Sequence, residues 1–190
     1  MNEQPSKGAS PASPTPPASA PPGTPAGNAE FVRLLRSPIR FRLYLLTRLP
    51  SAFFSGLRIA AADDSSCTVT IPFKWFTRNP FRSTYFACLS MAAEMSTGIL
   101  AMAAVYKKNP PVSMLVVSLE GNFHKKATGL TAFRCEDGVS IRDIIEKAVS
   151  TGEAQIIKAR SVGTNAAGET IAEFFITWSF RTRSKTSPNS

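Results

Sequence analysis

Histidine is almost missing from this chain and cysteine is sparse. His124 stands alone, and Cys67, Cys88 and Cys135 fall at unrelated spacings. A tetrahedral zinc site draws four Cys or His ligands from short, recurring spacings, and no Cys-x-x-Cys occurs, so no metal is expected. An odd number of thiols supplies no disulfide framework, and reduced thiols in a cytoplasm are the expectation. No basic start followed by an apolar run opens the chain, so no secretory signal is read there. Acidic residues are also few. There are 13 Asp and Glu against 22 Lys and Arg, a formal net charge of +9. That balance points to an anionic partner. Without a nucleic-acid motif or a dense basic run, nucleic acid is not expected, whereas a phosphorylated ligand or an anionic membrane surface fits scattered cations.

What is present divides the 190 residues into a tail and one domain. Residues 1–28 are Pro, Ala, Ser and Gly without aliphatic periodicity. They cannot bury enough apolar surface to offset chain entropy, and they are read as disordered. The domain is expected over residues 29–182, with a loose end at "RTRSKTSPNS" and a tail over 183–190. In "FVRLLRSPIRFRLYLLTRLP", Phe31, Leu34, Leu35, Phe41 and Leu45 share one helical face, and Arg33, Arg36 and Arg40 another. Pro38 and Pro50 punctuate one or two short amphipathic helices, which can dock onto the domain or touch a membrane peripherally.

Strand signals follow. Asp63–Ser66 supplies a hairpin turn, after which Cys67, Val69, Ile71, Phe73 and Trp75 alternate with Thr68, Thr70, Pro72 and Lys74. Leu115, Val117, Leu119 and Phe123 are assigned to one face of a further strand, opposite Met114, Val116, Ser118, Glu120, Asn122 and His124. "KKATG" is read as the turn of a long hairpin that returns over Leu130 to Cys135. "SIRDIIEKAV" is a short helix, with Ser140 and Asp143 as a capping pair and Ile141, Ile144, Ile145 and Ala148 facing the core. The last hairpin turns at Asn165 to Gly168. Its second strand carries apolar groups on both faces, as a central strand covered on two sides would.

Between these strands lies a segment with one charged side chain. From Ser83 to Tyr106 Glu94 is the one side chain charged at neutral pH, among Ala, Met, Ser, Thr, Leu and Ile. A helix is expected, capped by Ser83 or Thr84, with Ser83, Ala87, Ser90, Glu94, Thr97 and Ala101 along one side. Burying an unpaired carboxylate costs several kcal/mol. Glu94 is therefore a catalytic group in a pocket, a carboxylate with buried partners such as Ser90 or Thr97, or a charge in a membrane helix. The amphipathic strands on both sides disfavour the last.

The element order, with the entry at Asn79, resembles the hotdog fold. In that α+β fold a six-stranded antiparallel sheet wraps a long central helix and subunits pair. The chain is similar, over about Phe31 to Phe180, to a bacterial hotdog family described only as a domain of unknown function and to the phenylacetate-type acyl-CoA thioesterases. In the thioesterase pattern an Asn is followed by Gly, then His-Gly-Gly, then an acid about two turns on. Asn79 and Glu94 match the Asn and the acid. Arg82 replaces the Gly, and Tyr85, Phe86 and Ala87 replace His-Gly-Gly. The resemblance implies hydrolysis of acyl-CoA or a related acyl thioester without a cofactor, by a homodimer or a dimer of dimers. It implies Glu94 as base or nucleophile, Asn79 as a group orienting substrate or water, and Tyr85 as an auxiliary donor. The amides around Phe86 and Ala87 would hold the oxyanion, and Lys74, Arg78, Arg82, Lys125 and Lys126 are candidates for coenzyme A phosphates. The missing glycines leave a second expectation, a non-catalytic hotdog domain that binds an acyl group, a protein or a membrane.

Overall fold

The structure, a computed structural model, describes residues 37–183. The tail assigned to residues 1–28, the amphipathic positions before residue 37 and residues 184–190 lie outside the described residues.

Two short helices come first, α1 (Pro38–Arg48) and α2 (Pro50–Ser55). Each opens on proline, whose fixed φ suits a first helical turn and whose missing N–H would have been unpaired there anyway. Gly56, at φ 81°, ends α2 in the left-handed conformation, and its N–H reaches Ala52 O at 3.1 Å. Strands β1 (Arg58–Ala62) and β2 (Cys67–Ile71) form the expected hairpin. Asp63 closes its turn by accepting the N–H groups of Ser65 and Ser66, both at 2.8 Å. The Ser65 hydroxyl donates to the same carboxylate at 2.7 Å, and that bond together with the N–H groups lowers the Asp63 carboxyl to a pKa of about 2.

The expected strand through Trp75 stops at Ile71. Pro72 has no N–H for a ladder, and Thr77 Oγ1 donates to its carbonyl at 2.8 Å while accepting the Lys74 N–H at 3.0 Å. The chain winds instead into a single 3-10 turn, Trp75–Thr77, and leaves Trp75 77% exposed.

The central helix α3 (Phe86–Val105) follows. Neither Ser83 nor Thr84 caps it. Ser83 is engaged with Asn79, Thr84 Oγ1 donates to Ala127 O, and Tyr85 occupies the cap position without a side-chain hydrogen bond. At 20 residues α3 is long and apolar enough to cross a bilayer, yet most of it is buried in this domain. Sheet and helices satisfy its apolar surface without lipid.

Strands β3 (Val112–Phe123), β4 (Thr131–Cys135), β5 (Gln155–Thr164) and β6 (Thr170–Thr182) complete one antiparallel sheet in the order β1-β2-β4-β5-β6-β3. The hairpin expected between β3 and β4 does not form. β3 pairs with β6, and β4 sits between β2 and β5, so residues 124–130 cross from one side of the sheet to the other. The end at Arg181 is not loose: β6 runs to Thr182, and Arg183 N–H donates to Pro111 O at 2.8 Å. Between β4 and β5 lies α4 (Gly138–Thr151), with Ile141, Ile145 and Ala148 fully buried and Ile144 half-buried. The capping pair Ser140–Asp143 does not form, because the helix has already begun at Gly138 and Asp137 stands at its cap. The Asp137 carboxylate accepts the Arg160 N–H of β5 at 2.7 Å instead.

Strand β3 departs from the expected faces for one reason. A bulge between Val116 and Ser118 inserts Val117 into the ladder. Met114 and Val116 lie opposite Phe180 and Trp178, but after the bulge it is Leu119, Gly121 and Phe123 that lie opposite Ile176, Phe174 and Ala172. One extra residue flips every later side chain. Leu119 and Phe123 therefore join the helix side of the sheet, and Leu115 stays on the other. Gly121 admits a ring where a side chain would stand, since a Cβ there would lie 2.6 Å from Phe174. In β6, the positions Ala172, Phe174, Ile176, Trp178 and Phe180 are buried, while Glu173, Phe175, Thr177 and Ser179 are only half-buried. The strand is central, and one of its faces is fully covered. The six-stranded sheet around α3 is the hotdog architecture.

Candidate active site

Glu94 sits in the middle of α3 and opens onto an apolar pocket of about 80 Å³. The wall is made by Phe41, Tyr44 and Leu45 of α1, Met114 of β3 and Trp178 of β6. One turn along the helix, Gly98 keeps the space clear: a Cβ there would lie 3.2 Å from the Glu94 carboxylate and 3.3 Å from Trp178. Burial in this wall raises the Glu94 carboxyl above its ordinary pKa of 4.5. Among the described residues nothing donates a hydrogen bond to that carboxylate. Ser90 Oγ turns to Phe86 O, and Thr97 Oγ1 to the Glu94 main-chain carbonyl. The partners expected of a purely structural carboxylate are thus engaged elsewhere.

The helix entry is built around Asn79. Its Oδ1 accepts the N–H of Phe81 at 3.0 Å and of Ser83 at 3.2 Å, its Nδ2 donates to Ser83 Oγ at 3.1 Å, and Arg78 bridges to Thr84. The carboxamide organises its own loop. Arg82 lies in that loop at φ 59°. It keeps a conformation that favours glycine, the residue that the thioesterase pattern has there. Tyr85 and Phe86 are partly exposed, and their rings meet edge-on at 4.8 Å. No side chain caps α3, and among the described residues no acceptor takes the N–H groups of Phe86 and Ala87 in its first turn.

The two halves do not meet within one chain. Glu94 follows Phe86 by eight residues, about 12 Å of helical rise, and none of Asn79, Arg82, Tyr85, Phe86 or Ala87 lines its pocket. Lys125 pairs with Glu169, which draws it away from an incoming phosphate, while Lys126 is exposed. Among the described residues no three His, Cys, Asp or Glu side chains gather as a metal-holding group. The pocket wall was only half legible in the sequence. Phe41 and Leu45 stand four apart and signal a docking helix, but nothing local says that it docks over Glu94.

No family model matches this chain, and neither does any curated protein. Solved structures do match. A Pseudomonas aeruginosa protein of unknown function, described as a probable thioesterase, is 20% identical, with a TM-score of 0.66 over 77% of this chain and 97% of its own. A Chlorobaculum tepidum protein of unknown function is 16% identical, with a TM-score of 0.65 over 77% and 98%. A Haemophilus influenzae thioesterase is 14% identical, with a TM-score of 0.55 over 76% and 92%. These likenesses show the fold.

Proposed function

We propose that this chain hydrolyses an acyl thioester, acyl-CoA or a related carrier thioester, as a homodimer or a dimer of dimers. The observation that carries the reading is Glu94: a carboxylate without a hydrogen-bond donor among the described residues, its pKa raised by burial, facing an apolar pocket on the central helix. A base with a pKa lifted toward neutrality removes a proton from water more effectively than an ordinary carboxylate. The pocket wall suits an acyl chain.

In the proposed reaction Glu94 takes a proton from water as the water oxygen bonds to the thioester carbon. The carbonyl electrons move to oxygen, which the N–H groups of Phe86 and Ala87 hold at the positive end of α3. Collapse re-forms the C=O bond and breaks the C–S bond, and the departing sulfur receives the proton from Glu94. The 12 Å or so between these groups in one chain is closed when Glu94 faces the helix entry of a second copy. The edge of β3, without a further strand partner among the described residues and with Leu115, Leu119 and Phe123 exposed, is the proposed contact. Asn79 shapes the entry loop, and Tyr85 stands beside it as a donor. Arg78, Arg82 and Lys126 remain for carrier phosphates. The three buried free thiols support a reducing, cytoplasmic setting.

A second reading is favoured by Phe86, whose ring is 55% exposed where the thioesterase pattern has glycine. It is a non-catalytic domain that holds an acyl group. A panel of acyl-CoA thioesters from short to long chain, read by free-thiol release, decides between them. Hydrolysis by the wild type that falls at least a hundredfold, roughly, in Glu94→Gln supports the first reading. Hydrolysis of no thioester, with an acyl ligand retained in native mass spectrometry, supports the second.

A further inference from the structure

Helix α1 has two apolar faces. Phe41 and Leu45 are buried in the domain, while Ile39, Leu43 and Leu46 on the opposite side are 82%, 61% and 42% exposed. Residues 37–62 contain Arg40, Arg42, Arg48 and Arg58 and no acid. From the same helix Arg42 reaches a second cleft, about 410 Å³, which Arg58 and Lys74 also line, with Thr70 and without an acidic residue. None of the three cations forms an ion pair with a described residue. Two of them are held in place. The Arg42 guanidinium lies 4.6 Å above the Phe53 ring, and the Lys74 ammonium folds over Gly56, where a Cβ would come within 2.8 Å of it. Three unneutralised cations around one space repel each other, and an anion relieves that repulsion.

We propose that this corner binds an anionic phospholipid surface, with a head-group phosphate between Arg42, Arg58 and Lys74 and with Ile39, Leu43 and Leu46 entering the interfacial layer. Cations and an aliphatic stripe on one short helix are the pairing that an interfacial helix needs. Trp75, 77% exposed, and Phe76, packed 6.2 Å from Phe54, add aromatic groups on the neighbouring turn. A second copy is a poor occupant, because a twofold contact would set this acid-free face against itself. A soluble phosphate would leave the aliphatic stripe unused. The buried face of the same helix walls the Glu94 pocket, so the lipid-facing and acyl-facing surfaces share α1. The proposal does not depend on hydrolysis.

Co-sedimentation of the full chain with phosphatidylcholine vesicles, with and without phosphatidylglycerol, tests this. Binding is expected only with phosphatidylglycerol and weakens as salt rises. At about 1 kcal/mol per cation, Arg42→Gln, Arg58→Gln and Lys74→Gln together lower the affinity roughly a hundredfold. Leu43→Asp, at an exposed position, weakens vesicle binding while circular dichroism stays that of the wild type. Equal binding to both vesicle types, or unchanged binding by the triple variant, overturns the proposal. So does binding of coenzyme A or inorganic phosphate through these cations with no vesicle binding, which makes the cleft a soluble-ligand site. A change of oligomeric state in Leu43→Asp with unaltered vesicle binding overturns it in favour of an interface between copies.

Discussion

The Trp178 indole N–H donates to the Thr97 hydroxyl across 2.9 Å, and that hydroxyl donates in turn to the main-chain carbonyl of Glu94 at 2.9 Å. The sheet thus grips the central helix within one turn of the acid. Ser96 and Ser161, both fully buried, add a second polar pin between α3 and β5 at 2.7 Å. In a helix that is apolar nearly all round, hydrophobicity alone does not choose a rotation about the axis. Directional bonds do, and they decide which way Glu94 points.

Thr97→Val should therefore destabilise the protein by about 1–3 kcal/mol, because it leaves the buried Trp178 N–H without an acceptor. Thr97→Ser keeps the acceptor and should lose less than half as much. Urea unfolding of both variants measures this. A Thr97→Val protein as stable as the wild type would remove the hydrogen bond from the explanation, since that variant keeps the methyl group and loses only the hydroxyl.

Glu94 should make stability fall as pH rises. Its folded pKa lies above the ordinary 4.5 because burial disfavours the charged form. Between the two values the native state binds more protons than the unfolded state, so ionisation draws down native stability across that window. Glu94→Gln is then more stable than wild type at pH 7, and the gap closes as pH drops toward 4.5. Thermal melts of both proteins across this range check the sign. A variant less stable than wild type at pH 7 would mean that the carboxylate has a stabilising partner in solution.

Much of this architecture was legible in the residues, and the failures have physical causes. The β5–β6 hairpin announces itself through alternation and the Asn165–Gly168 turn, and the N-terminal helical segment through its prolines, which left one or two helices open. The pairing of β3 was not legible, because 124–130 resembles a hairpin turn locally and only the packing of the whole sheet sends the chain across. The bulge at Val117 was invisible for the same reason: Val116, Val117 and Ser118 suit either register. Asn79 and Glu94 could be singled out by resemblance and by charge. Their separation in the folded chain follows from helix length, which sequence spacing alone expresses only as distance along an axis.

The thiols should be inert in the native state. Cys67 and Cys135 face each other across β2 and β4, and burial pushes both to about 12; Cys88 is raised by burial as well. A disulfide-exchange reagent at pH 8 should find almost no thiol until denaturant is added, and then three. Rapid reaction of one equivalent without denaturant would show that the core opens near one of them.

Arg82 carries a backbone strain that glycine would relieve. At φ 59° a side chain costs about 1 kcal/mol, whereas glycine adopts the conformation freely. Arg82→Gly should leave stability unchanged or raise it by up to about 1 kcal/mol, after the extra entropy of the unfolded glycine chain is counted. A clear loss in chemical unfolding would show that the guanidinium makes contacts worth more than the strain.

The edge of β3 is where assembly and chemistry meet. Among the described residues the 12-residue strand is paired only with β6, which leaves it at the edge of the sheet, and Leu119, moved to the helix side by the bulge, is 42% exposed beside it. If two copies join there, Leu119→Lys places like charges near a twofold axis and removes apolar contact, which should weaken the dimer at least tenfold, on the order of 1.4 kcal/mol. Sedimentation equilibrium at micromolar concentration measures it. The isolated fold tolerates a surface lysine, so circular dichroism should not change. Because Glu94 and the helix entry are proposed to meet only between copies, thioester hydrolysis should fall in step with dimer content and recover at high protein concentration. A wild-type monomer with full activity would dismantle the shared site, and with it the assignment of Phe86 and Ala87 as the partner amides of Glu94.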